Sequence, residues 1–78
     1  MSWMFEVYYQ PPPDLAKEAA VSNRVASLGG RLDYREDGNA QTGVCLTYEF
    51  DTREKAVQAA EVLRQLGEHV EGPMDCGA

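Results

Sequence analysis

The chain has 78 residues, of which 44% are apolar and 26% charged, and its formal net charge at pH 7 is −6. This length allows one domain that buries about 60–65% of its unfolded surface, which leaves little chain for a deep enclosed cleft beside a core. Its five arginines and two lysines are scattered among thirteen acidic residues. We therefore expect no nucleic-acid partner, because phosphate binding needs clustered basic side chains.

No apolar run approaches the roughly 20 residues that a membrane-spanning helix needs. The amino terminus has neither a basic segment nor a small-residue cleavage site, so it does not resemble an export signal. Cys45 and Cys76 stand at a spacing that fits no zinc or redox motif. We expect a cytoplasmic protein with free thiols, no cofactor and no membrane contact.

Alternating apolar residues predict a first strand over residues 3–9, which ends at the three prolines 11–13 because proline cannot donate to a strand ladder. Asp14 is a suitable N-cap for a first helix that runs to about Leu28. Gly29 follows as a left-handed terminating residue. The helix is rich in alanine, which suits close packing on a sheet.

Residues 31–36 are the predicted second strand and residues 44–50 the third, with the turn-forming residues 37–43 between them. Leu32 and Tyr34 are predicted to face inward. The register that matches inward positions pairs Leu32 with Tyr48, Tyr34 with Leu46, Arg31 with Glu49, Asp33 with Thr47 and Arg35 with Cys45.

The second helix is predicted to begin at Asp51 or Thr52, with Glu54 completing a capping box, and to end at Gly67. Its apolar face contains Ala56, Ala59, Ala60, Leu63 and Leu66. Residues 69–71 are long enough for a short edge strand. Residues 72–78 are predicted to form a flexible tail.

This order of elements predicts an α+β, ferredoxin-like βαββα(β) fold: a two-layer sandwich in a single domain over residues 1–78. The antiparallel sheet would have the order 4-1-3-2, with both helices on one face. The run from Tyr48 to Ala56 resembles the strand-to-helix passage of many small ferredoxin-like modules, including ACT-type regulatory domains. The resemblance covers the architecture and this junction.

Because both helices are predicted to cover one face of the sheet, the other face is bare and is the expected working surface. A solvated face with ordinary polar alternation is the other interpretation. The candidate interface or ligand residues are Met4, Glu6, Tyr8, Arg31, Arg35, Cys45, Thr47 and Glu49.

Specific chemistry on this face is sparse. Cys45 opposite Arg35 would have a lowered thiol pKa, but Glu6 and Glu49 act against that, and no histidine is predicted beside it as a base. His69, the one histidine, cannot complete a metal site alone. Glu6 and Glu49 could form an acid–base pair, although neutralisation by the arginines is favoured. We expect no catalytic, cofactor-binding or metal-binding residue.

We therefore expect a non-catalytic association or ligand-binding module. It would act as a homodimer, or as a protein-binding domain, through the open sheet face or the sheet edges. The alternative is a small enzyme of the dimeric α/β-barrel type, in which two sheets enclose a pocket. Such enzymes resemble this chain in topology only and generally place a catalytic His, Asp or Arg in the cavity. The residues available for that role are Tyr8, Arg35, Asp33 and Glu6.

Overall fold

The computed structural model describes residues 2–11, 14–37 and 43–75. The strands are β1 (Trp3–Tyr9), β2 (Gly30–Glu36), β3 (Val44–Phe50) and β4 (His69–Asp75), and the helices are α1 (Leu15–Ser27) and α2 (Arg53–Gln65). The strands form one antiparallel sheet in the order β2-β3-β1-β4. The predicted α+β class, with one antiparallel sheet and two helices, is confirmed. Pro12, Pro13, the predicted turn residues 38–42 and Cys76 lie outside the described residues.

The core lies between the two helices and one face of the sheet. Alternate residues of the central strands β1 and β3 point into it, because side chains alternate between faces along a strand. The alanines of α2 let that helix lie close to the sheet. Burying each large side chain contributes about 1.5–3 kcal/mol. The buried apolar residues are Phe5, Val7, Val21, Val25, Val44, Leu46, Tyr48, Phe50, Ala56, Ala59, Ala60, Leu63 and Val70.

Both helices begin at caps of the predicted kind. The backbone N–H of Lys17 donates to the Asp14 carboxylate at 3.1 Å. The N–H of Lys55 donates to the Thr52 hydroxyl at 3.2 Å, so Thr52 is the N-cap of α2. Each bond satisfies a donor that the first helical turn leaves unpaired. Gly29, with a φ of +92°, follows α1 in the left-handed conformation that was expected.

β4 continues past Glu71 to Asp75, so the tail prediction is wrong for residues 72–75. Met74 pairs with Met4 and Asp75 with Trp3, after an irregularity of register. Pro73 is tolerated because an edge strand has a neighbour on only one side, and a missing N–H on the other side breaks no ladder bond. Residues 76–78 lie outside the described residues.

β2 departs from the predicted register at Asp33. The observed pairs are Arg31 with Glu49, Leu32 with Tyr48, Tyr34 with Thr47, Arg35 with Leu46 and Glu36 with Cys45. One extra residue between Leu32 and Tyr34 is a β-bulge, and it turns the later side chains to the opposite face. The predicted inward position of Tyr34 is therefore wrong, and so is the predicted outward position of Arg35.

Candidate functional site

The face of the sheet that the helices leave bare, here called the open face, carries three rows of paired residues. Running from β2 to β4, the rows are Glu36, Cys45, Tyr8 and His69; then Tyr34, Thr47, Glu6 and Glu71; then Arg31, Glu49, Met4 and Met74. Tyr8, Tyr34 and Met74 are exposed. The open face thus combines exposed tyrosine and methionine side chains with several glutamate carboxylates.

Every predicted contact residue lies on the open face except Arg35. The sequence interpretation missed five members of this face: Tyr34, Glu36, His69, Glu71 and Met74. The first two were hidden by the bulge in β2. The other three belong to β4, of which only the start was expected, and its outer face was not considered.

Arg35 instead connects β2 to α1. Its Nε donates to one carboxylate oxygen of Glu18 at 2.7 Å and a terminal nitrogen donates to the other at 3.2 Å, and it also pairs with Asp37. This two-point geometry is the strongest form of arginine–carboxylate contact. Glu18, only 6% exposed, was not singled out from the sequence. The sequence feature that could have identified Glu18 is its spacing. It lies three residues before Val21 and seven before Val25, and therefore on the buried face of α1.

Without Arg35 the open face is strongly acidic. Among the described residues, Glu6, Glu36, Glu49 and Glu71 stand on it together with one arginine, Arg31. Arg31 is already engaged with Glu49, at 2.5 Å. A cation approaching this face therefore meets an excess of negative charge.

Glu6 lies at the centre of the open face and accepts two hydrogen bonds. The Tyr8 hydroxyl donates to one of its oxygens at 3.0 Å and the Cys45 thiol to the other at 3.6 Å. The bond to Glu6 raises the pKa of Tyr8 to about 12. Burial, followed by the charge of Glu6, raises the pKa of the Cys45 thiol. Both groups stay protonated at neutral pH, so Cys45 has little thiolate character.

This arrangement predicts a slowly reacting thiol. In a Cys76→Ser background we expect Cys45 to react slowly with iodoacetamide at pH 7.4, with a pH midpoint above that of free cysteine. Removing the charge with Glu6→Gln should lower that midpoint and speed alkylation about threefold at pH 7.4. Glu49→Gln is the matched control, since Glu49 shares the open face without bonding Cys45. Equal rate profiles for the parent and the Glu6→Gln variant would contradict this account.

An open hollow of about 730 Å³ lies at the end of the sheet where β1 finishes and β4 begins. Tyr8, Tyr9 and His69 supply its aromatic surface, and Glu36 and Asp37 supply its carboxylates. The Tyr8 and His69 rings meet edge to face with centroids 5.7 Å apart. Aromatic faces beside carboxylates are suited to an organic cation, such as an ammonium or a guanidinium group.

The four residues available for an enzymatic pocket are not brought together. Tyr8 and Glu6 share the open face, Asp33 occupies the bulge, and Arg35 lies on the helix side with Glu18. A pocket formed by two facing sheets would therefore lack Arg35, although Arg31 and His69 stand on the face that would line it.

Similarity to known proteins does not identify a function for this chain. No protein-family model matches the chain, and no curated protein matches it significantly. Within residues 2–11, 14–37 and 43–75, no three His, Cys, Asp or Glu side chains are grouped so that they could hold a metal ion. In the same part of the chain, neither helix has the length and apolarity to cross a bilayer.

Proposed function

We propose that this chain is a non-catalytic protein-binding module of the ferredoxin-like type, whose open face docks a basic segment of a partner protein. The strand order β2-β3-β1-β4, with one core shared by both helices, supports the fold assignment. The observation that carries the functional proposal is the composition of the open face: exposed tyrosines and a methionine among four glutamates and one arginine.

The apolar part of the open face supplies the contact area. Tyr8 is 41% exposed and Tyr34 61% exposed, and they stand in neighbouring rows with Met74 at the far side. Tyrosine is enriched at protein interfaces because its ring buries a large area at low entropic cost while its hydroxyl remains hydrogen-bonded. A segment laid across these rows would cover all three side chains.

The charge of the open face selects the partner. Two copies of this chain placed face to face would bring Glu6, Glu36 and Glu71 against the same carboxylates, which disfavours that arrangement. A segment carrying lysine or arginine is complementary. One such side chain fits the hollow beside Tyr8, where Glu36 lies within the same lining.

A peptide of alternating lysine and valine, labelled with fluorescein, tests the proposal by anisotropy titration at low salt. We expect it to bind more tightly than a peptide of alternating glutamate and valine. The double variant Glu36→Gln/Glu71→Gln should bind the basic peptide about tenfold more weakly, because two exposed ion pairs contribute roughly 0.5–1 kcal/mol each.

The control removes the same charge from the other side of the molecule. Glu54 and Glu61 lie on the exposed surface of α2, and Glu54→Gln/Glu61→Gln should leave the affinity within about twofold of the parent. Equal weakening by both double variants would show that the peptide responds only to overall acidity, and would overturn docking at the open face.

A further inference from the structure

The two edge strands of the sheet differ in how their backbone groups are used. Arg64 of α2 donates to the carbonyl oxygens of Val70 at 3.2 Å and Gly72 at 2.7 Å, and Pro73 has no N–H to offer. The edge of β4 is therefore partly occupied. For β2, the described residues show no side-chain or loop group bonded to the outer edge of the strand. An edge with open N–H and C=O groups is a template for another strand.

β2 is also the least covered strand. Leu32, on the helix side, is 46% exposed, and Tyr34, on the open face, is 61% exposed. A strand added at this edge would shield part of both side chains, on opposite faces of the extended sheet. Shielding apolar surface on both faces favours a strand as the occupant of this edge.

The charges along β2 fit a second copy of the same strand. In a two-fold antiparallel pair one residue lies opposite itself, and its neighbours pair in reverse order. With Tyr34 on the axis and the bulged Asp33 left unpaired in each copy, Arg31 lies opposite the partner's Glu36, and both side chains are on the open face. With Asp33 or Arg35 on the axis, like charges oppose each other, which is unfavourable.

A register centred on Leu32 sets Arg31 against the partner's Tyr34 and forms no such ion pair. It is also shorter, because it sets Glu36 against Gly29, whose φ of +92° takes the chain out of the strand. We infer that β2 pairs with β2 of a second copy around Tyr34, which would give a continuous eight-stranded sheet. The pairing uses the backbone edge of β2 and does not depend on the proposed basic partner.

Directed disulfide formation tests the register in a Cys45→Ser/Cys76→Ser background. In the inferred pairing the two Cα atoms at position 34 lie about 4.5–5.5 Å apart, within disulfide range. Tyr34→Cys should therefore become mostly covalent dimer under mild oxidation. Leu32→Cys is the matched control, since its two copies would be about 7 Å apart along the strands in addition to the spacing between them, which is beyond disulfide range, and should yield at least tenfold less.

Sedimentation equilibrium of the chain without any substitution gives a second measurement of dimer formation. We expect the mass of two chains at about 100 µM protein, and dissociation on dilution. Preferential cross-linking through Leu32→Cys would overturn the register around Tyr34. A single-chain mass throughout, with no cross-linking at either position, would overturn the edge interface, whereas loss of peptide binding alone would affect only the open-face proposal.

Discussion

Gly30→Ala is expected to destabilise the fold by about 3 kcal/mol. A Cβ added at Gly30 would overlap the ring carbons Cε2 and Cζ of Phe50 and would lie 2.7 Å from Cγ1 of Val25. Phe50 and Val25 are fully buried, so neither can move aside without opening the core. In a domain of this size the change corresponds to a fall in Tm of about 15 °C, which urea and thermal unfolding would both detect.

Gly67→Ala is the control that distinguishes steric overlap in the core from backbone strain. Gly67 has a φ of +89°, but nothing lies within 4 Å of a Cβ built there, so its substitution should cost only about 1 kcal/mol of left-handed strain. Phe50→Leu should restore part of the stability lost by Gly30→Ala, because it removes the ring that the new methyl group meets. Equal losses at Gly30 and Gly67, without rescue, would contradict the packing of β2 against Phe50.

The central strands could be predicted from the sequence because burial acts on one of their faces only. Phe5 and Val7 in β1, and Leu46 and Tyr48 in β3, alternate with polar or less apolar residues. Shifting either strand by one residue would expose the whole apolar set. This constraint also predicted the β1 and β3 side chains of the open face, which are six of its twelve paired residues.

The strand β2 was predicted, but its register escaped prediction because an edge strand lacks that constraint. Its residues Arg31 to Arg35 alternate polar and apolar as regularly as a straight strand would, so the pattern contains no sign of the bulge. What fixes its register is tertiary: the buried Glu18 on α1 has Arg35 as its counter-charge. Such a contact between distant segments cannot be derived from the periodicity of either one.

Arg35→Ala should destabilise the chain more than Glu18→Ala does. After Arg35→Ala the Glu18 carboxylate remains enclosed without its counter-charge, and an unpaired buried carboxylate costs about 3 kcal/mol. After Glu18→Ala the arginine keeps Asp37 and reaches solvent. The double variant Glu18→Ala/Arg35→Ala should be more stable than Arg35→Ala alone. Urea unfolding of all three variants measures this asymmetry.

Arg31→Ala is the matched control for Arg35→Ala, because it removes the same charge from β2 on the open face. Its partner Glu49 faces solvent once the pair is broken, so the loss of stability should be small. The two variants should also differ in binding the lysine–valine peptide: Arg31→Ala makes the open face more acidic and strengthens binding, whereas Arg35→Ala acts on the helix side and leaves the affinity within about twofold. Stronger binding by Arg35→Ala, with little loss of stability, would indicate that Arg35 lies on the open face. That result would contradict the bulge at Asp33.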